Sequence, residues 1–197
     1  MELVIFAGPN GSGKSTIVNK FIEEYNLKDF EYISPDVYAK EYFSHVEDEL
    51  KRYEKAFAYA DYKRKSALME RRNFIVETVN STTSKFDFYR ECKKAGYVIT
   101  LVFVCTNSPE INLKRVEKRK SQGGHDVPKD KTISRYYRSL ENLYELSGIS
   151  DVVYVYDNSI DKVGARLCYY KDKFTIQNEI DALPDWVKTY LFAKNKR

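Results

Sequence analysis

Cysteine is scarce in this chain. Its three residues, Cys92, Cys105 and Cys168, are odd in number, widely spaced and set in apolar or helical runs, which argues against both a disulfide framework and a zinc site. They read as buried thiols in a reducing cytosol. Long hydrophobic runs are absent, and nothing approaches the roughly 20 apolar residues that a membrane-spanning helix requires. The first residues, Met1-Glu2-Leu3-Val4-Ile5-Phe6-Ala7, are too few for a secretory signal and carry no basic leader. The expected location is therefore the cytoplasm, with no membrane partner. No charge of one sign dominates either. The net +4 arises from 33 Lys and Arg interspersed with 29 Asp and Glu, without the basic stripe that marks a dedicated nucleic-acid binder. Repeats, low-complexity tracts and linkers are also missing, so the 197 residues read as one domain, 1–197, long enough for a well-buried core.

Hydrophobic residues make up 43% and charged residues 31%, ordinary values that indicate neither disorder nor a fibrous repeat. Seventeen tyrosines cluster in helical stretches and in a late strand pair, where a packed ring can keep its hydroxyl wet. Leu3 to Ala7 is a short apolar run of the kind buried on both faces of a parallel sheet. Further strands are predicted at Tyr32-Ile33, Phe74 to Val76, Val98 to Cys105 and Val152 to Tyr156. Helical spacing covers Thr16 to Tyr25, Val46 to about Arg72, Ser84 to Ala95 before a capping Gly96, Pro109 to Lys120, and Lys131 to Leu146. Ala165 to Tyr170 and Phe174 to Ile176 read as a hairpin, and Trp186 to Phe192 as a short last helix. Alternating strands and helices predict a three-layer α/β fold with a mainly parallel five-stranded sheet and a C-terminal β-hairpin.

Between the first strand and the first helix lies Gly8-Pro9-Asn10-Gly11-Ser12-Gly13-Lys14-Ser15, which matches G-x-x-x-x-G-K-[ST] in the context its mechanism requires. Glycines let successive backbone N–H groups turn inward around a phosphate, and the following helix aims its positive end at the same charge. Lys14 would reach the β- and γ-oxygens, Ser15 would ligate Mg²⁺, and Thr16 continues the cradle. The expected ligand is Mg-ATP.

A phosphoryl-transfer site also needs a group that orients the acceptor hydroxyl and cations for the γ-oxygens. Asp36 follows the second strand at the carboxyl edge, where ligands bind in such sheets. It is either the base or, with Ser34, a cap for a helix beginning near Val37. Glu77 ends the third strand, a suitable place to hold a Mg²⁺ water shell or the acceptor. Thr78, Asn80 and Ser81 follow it, as lining of an acceptor pocket or as hydroxyl-rich turn chemistry. Arg115 and Arg119 are one helical turn apart and lead into Gly123-Gly124, the pattern of a lid over about 115–135. The same residues, with Lys114, Lys118 and Lys120, could instead form a solvated basic helix. Asn158 either touches adenine or belongs to a plain turn.

Several segments together resemble the zeta-toxin-like family of P-loop kinases: Gly8 to Thr16, Ile33-Ser34-Pro35-Asp36, Phe74 to Thr78, Ala95-Gly96-Tyr97, and Arg115 to Leu143 with Gly123-Gly124-His125-Asp126-Val127-Pro128 and Arg135 to Leu143. Tyr156-Asp157-Asn158-Ser159 completes the set. The resemblance implies that Asp36 accepts the acceptor's proton and that His125 contacts the ligand. It also implies a small-molecule acceptor, UDP-N-acetylglucosamine in the founding members, and a small antitoxin protein as partner. Founding members place a threonine and an arginine just after the glutamate; here Thr78-Val79-Asn80-Ser81 has no arginine. A second family arginine before the proline-lysine pair is also missing, and Arg135 or Arg138 stands in for it. Two other functions fit the same motifs: a polynucleotide 5′-hydroxyl kinase using Lys63-Arg64-Lys65 and Arg71-Arg72, and a nucleotide-driven switch acting on a protein.

Overall fold

The computed structural model describes residues 1–121, 127–161, 163–177 and 183–192. At its centre β1 (Glu2–Ala7) pairs in parallel with β3 (Phe74–Thr78) on one side and β4 (Val98–Cys105) on the other. β2 (Glu31–Ile33) extends the sheet beyond β3, and β5 (Val152–Asp157) extends it beyond β4, both in parallel. The period-2 alternation of a strand explains why β1 is apolar throughout. Leu3, Ile5 and Ala7 enter the larger core on one face with Phe74, Val76 and Leu101. Val4 and Phe6 enter a second core on the other, with Val18 and Phe21 of α1 (Lys14–Glu24). The Phe6 and Phe21 rings meet edge-on at 5.5 Å, and full burial of such a side chain is worth about 1.5–3 kcal/mol.

The sheet is larger than five strands. β6 (Arg166–Lys171) pairs antiparallel with β5, and β7 (Ile176–Gln177) pairs with β6, so the order is β2-β3-β1-β4-β5-β6-β7. The hairpin joins the sheet because Val153 and Val155 would otherwise leave an apolar edge open; Cys168 and Tyr169 complete their core. All three cysteines are free and buried, and burial pushes Cys92 and Cys168 up to about 12.

Helices cover both faces. α2 (Pro35–Glu41) begins two residues before the predicted start near Val37. α3 (Glu49–Met69) starts at Asp48, which accepts a bond from the Lys51 N–H at 3.1 Å. α4 (Phe86–Lys94) ends before Gly96, in the left-handed conformation at φ 86, and α5 (Pro109–Ser121) closes on the predicted bounds to within a residue. The helix predicted from Lys131 to Leu146 is two, α6 (Lys129–Glu141) and α7 (Leu143–Ile149). The break is at Asn142, whose side-chain amide donates to the Asn80 carbonyl at 2.9 Å. The last predicted helix is α8 (Asp185–Val187) followed by a π-helical turn, Lys188–Phe192. Among the described residues no helix is long and apolar enough to cross a membrane.

Because β1 to β5 are parallel, their carboxyl ends share one edge. The glycine-rich loop, Ser34 to Asp36, Glu77-Thr78, Thr106 and Asp157-Asn158 are thereby brought together from five separate stretches of sequence.

Candidate active site

The glycines of the loop are held by close neighbours. Gly11 has φ 75, and a Cβ there would lie 2.4 Å from the Asn112 carbonyl oxygen; Gly13 has φ 91, and its Cβ would lie 2.2 Å from the Asn158 side-chain nitrogen. Only glycine fits either position. Two amides fix the loop from behind. Asn112, fully buried, donates to the Asn10 carbonyl at 2.7 Å and accepts from the Thr106 hydroxyl. Asn158 donates to the Ser12 carbonyl at 2.8 Å, while its own N–H bonds the Cys105 carbonyl at 2.8 Å. The structure thus brings Asn158 to the loop as a backbone clamp. Tyr136 of α6 donates to the Thr106 carbonyl at 2.6 Å, which extends the buttress. Sequence reasoning missed Asn112; its one signal was a polar residue one helical turn before buried Val116 on the inward face of α5.

Lys14 is only 8% exposed, and its ammonium donates to the Pro9 carbonyl at 3.1 Å. Burial lowers its pKa, while the charges of Glu77 and Asp36 push the other way. Those two carboxylates therefore face the same clamp. The start of α1 has Gly13 at its cap, no side-chain cap bond and no acidic residue in its first turn. Its orphan N–H groups and positive end are left for an anion. Ser15 and Thr16 are exposed there.

A cleft of ≈ 940 Å³ opens from this loop, within the range of small-molecule sites. Asp36 is exposed on its wall. Ser34 occupies the cap position of α2 without a side-chain cap bond, and Asp36 lies inside the first turn. Glu77 accepts a bond from the Tyr32 hydroxyl at 2.5 Å; burial first, then the Glu77 charge, raise the Tyr32 pKa far above its usual value. Thr78 and Ser81 line the cleft. Asn80 lines it too but acts as a loop anchor: it has φ 60, its amide donates to the Ser139 carbonyl at 3.2 Å, and its carbonyl accepts from Asn142.

The two predicted lid arginines differ. Arg115 donates to the Asn158 carbonyl at 2.9 Å and pairs with Asp161 at 2.6 Å, so it docks α5 on the β5–β6 connection. Both arginines line the cleft, and the Arg119 charge acts on Lys14 and Tyr53. Of the two stand-ins for the missing family arginine, Arg135 lines the cleft, whereas Arg138 bonds Ser134 within its own helix. His125 and the Gly123-Gly124 hinge lie outside the described residues. Three of the five basic residues considered for a polynucleotide are engaged elsewhere. Lys63 pairs with Glu31 at 2.5 Å, Arg72 pairs with Glu31 and Glu70, and Arg64, 5% exposed, pairs with Asp61.

Among the described residues no group of three or more His, Cys, Asp or Glu could hold a metal ion. Ser15 and Glu77 both line the cleft, a sparse oxygen set of the kind that suits Mg²⁺ when phosphate oxygens and water complete its shell.

A glycine-rich loop between the central strand and its helix, a buried lysine and a carboxyl-edge cleft define a P-loop nucleotide-binding protein. The chain belongs to the zeta toxin family, whose model matches residues 2–167. An uncharacterized protein of Haemophilus influenzae is 26% identical over 141 residues, 68% of this chain and 92% of that one. A structure from the PezAT chromosomal toxin-antitoxin system of Streptococcus pneumoniae superposes with a TM-score of 0.65 at 16% identity, covering 98% of this chain and 79% of that chain. The AvrRxo1-ORF1:-ORF2 complex with ATP gives 0.70 at 16% identity, over 90% of this chain and 60% of that chain. These structural likenesses show the fold.

Proposed function

We propose that this protein is an ATP-dependent kinase that transfers the γ-phosphoryl group of Mg-ATP to an alcohol group of a small-molecule acceptor. The observation that carries the reading is that Lys14, buried under the phosphate loop, shares one cleft with Asp36 and Glu77, whose charges act on it. Membership of the zeta toxin family supports it. The loop N–H groups and Lys14 hold the β- and γ-phosphates, with Gly8 to Thr16 as the cradle and Asn158 bracing it. Asp36 accepts the proton of the acceptor hydroxyl as its oxygen bonds to the γ-phosphorus; the bond from that phosphorus to the β,γ-bridging oxygen breaks, and ADP leaves. Arg119 neutralises charge on the transferring group, and Arg115 holds α5 in place for it. Thr78, Ser81 and Glu77 orient the acceptor. Mg²⁺, held by Ser15 and Glu77, would supply charge neutralisation on the phosphate oxygens.

The acceptor is UDP-N-acetylglucosamine or another small metabolite, and the enzyme acts in the cytoplasm as one domain. A small antitoxin protein is the partner that the PezAT likeness supports; its co-purification in stoichiometric amount is the expected result. Asp36→Asn tests the mechanism. Isothermal titration should show Mg-ATP binding retained, while transfer to acceptors in a small-molecule extract falls by roughly 10² or more. Unchanged transfer would remove Asp36 as the base.

A further inference from the structure

A backbone cradle attracts an anion only if its peptides face the right way. In a planar trans peptide the C=O of one residue and the N–H of the next point in opposite directions, so a carbonyl held on one side fixes the following N–H on the other. The peptide dipole, about 3.5 D, reverses when the peptide turns over. A reversed peptide would present an oxygen to a phosphate in place of a donor. Two peptides of the glycine-rich loop are held against such reversal. The Asn10 carbonyl accepts from the Asn112 side-chain amide at 2.7 Å, which turns the Gly11 N–H the other way. The Ser12 carbonyl accepts from the Asn158 side-chain amide at 2.8 Å, which does the same for the Gly13 N–H. Asn10, Gly11 and Gly13 line the cleft, whereas Asn112 and Asn158 stand outside its lining. Among the described residues no backbone carbonyl accepts from the Gly11 or the Gly13 N–H.

Both clamps are themselves fixed. A carbonyl only accepts, so each asparagine must turn its NH2 group toward the loop. Asn112 is fully buried, its Oδ1 bonds the Thr106 hydroxyl, and Tyr136 ties the Thr106 carbonyl at 2.6 Å. Asn158 is pinned through its backbone: its N–H donates to the Cys105 carbonyl at 2.8 Å and its carbonyl accepts from Arg115 at 2.9 Å. α5 therefore serves both positions, carrying Asn112 and holding Asn158 through Arg115. The two motif glycines leave room for these clamps, because a Cβ on Gly11 would strike the Asn112 carbonyl oxygen and one on Gly13 the Asn158 amide nitrogen. Neither clamp belongs to the loop motif. Asn112 is 102 residues from Asn10, and Asn158 is 146 from Ser12.

We infer that Asn112 and Asn158 are positioning residues for phosphate binding, each setting one donor: Asn112 aims the Gly11 N–H at the anion, and Asn158 aims the Gly13 N–H. This rests on the kinase reading above. The test uses the full chain labelled with ¹⁵N, with Mg-pyrophosphate as a probe that has no base and Mg-ATP as one that has. At saturation with Mg-pyrophosphate the Gly11 and Gly13 amide protons of the wild type should move downfield, as donors to a charged oxygen do. Asn112→Leu should abolish the Gly11 shift and keep that of Gly13, and Asn158→Leu should do the reverse. Isothermal titration should show each variant binding Mg-pyrophosphate and Mg-ATP more weakly by the same factor, about tenfold or more. Loss of both shifts in each variant would mean that the asparagines only pack the loop, and a loss of affinity for Mg-ATP alone in Asn158→Leu would place that residue at the base; either result overturns the proposal. The wild type tests it even if a variant does not fold, because Gly11 and Gly13 amides that stay unmoved with Mg-pyrophosphate bound also overturn it. Failure of the wild type to bind either probe overturns the kinase reading itself, and the proposal falls with it.

Discussion

Lys14 is a buried cation and Lys85 a half-buried one, and they are balanced differently. Lys14 has the Glu77 and Asp36 charges to offset its desolvation; Lys85 has only the like charge of Arg64. The difference has a measurable consequence for stability. The folded-state pKa of Lys85, about 8, lies below the ordinary value of about 10.4 in an unfolded chain. Below pH 8 the residue is charged in both states and its burial costs stability. Between about pH 8 and 10.4 the unfolded chain binds more protons than the folded one, so that cost fades as pH rises. Lys85→Met should therefore raise the melting temperature at pH 7, and the gain should shrink by pH 9.5. Thermal denaturation of both proteins at the two pH values checks it; an equal gain at both would mean that charge burial is not the cause.

At the scale of one element, α5 separates two arginines that sequence spacing treats as equivalent. They lie one turn apart and both line the cleft, yet Arg115 is committed to the Asn158 carbonyl and Asp161, while the Arg119 charge acts on Lys14. Arg119→Ala should lower kcat by roughly 10² or more with a small change in ATP affinity, since it meets phosphate charge mainly as transfer develops. Arg115→Ala should instead weaken ATP binding several-fold, because the β5–β6 connection carrying Asn158 loses its tie to α5. Steady-state kinetics with nucleotide titrations separate the two patterns, and identical behaviour would contradict the assignment. The two-residue period of β1 and the glycine pattern of the loop were legible because both are local. The division of α6 from α7 was not, because Asn142 ends a helix by reaching Asn80, 62 residues away.

Across the whole molecule, five parallel strand ends meet at one edge, and the cleft there draws its lining from the ends of β1, β2 and β3 and from α3, α5 and α6, so nucleotide binding should stabilise the entire fold. A ligand that binds only the folded state adds about 2.7 kcal/mol at a hundred times its Kd. Mg-ATP should raise the melting temperature of the wild-type protein by several degrees. Lys14→Ala should fold, melt at least as high without nucleotide because a desolvated ammonium is gone, and show no shift with Mg-ATP. Differential scanning calorimetry checks all three; a full shift in the variant would remove Lys14 as the phosphate clamp.

The sequence by itself determined the strand-loop-helix unit, the parallel sheet and the identity of Lys14, Asp36 and Glu77 as cleft candidates. Each follows from spacing or from a strand end within a few residues. The tertiary structure decided what depends on contact between distant segments. Asn112 and Asn158 brace the loop, Asn80 anchors α6 at the cleft wall, the hairpin enlarges the sheet, and Arg115 ties α5 to the β5–β6 connection. None of these is written in local pattern, because each is a meeting of residues that only folding brings within hydrogen-bonding or electrostatic range.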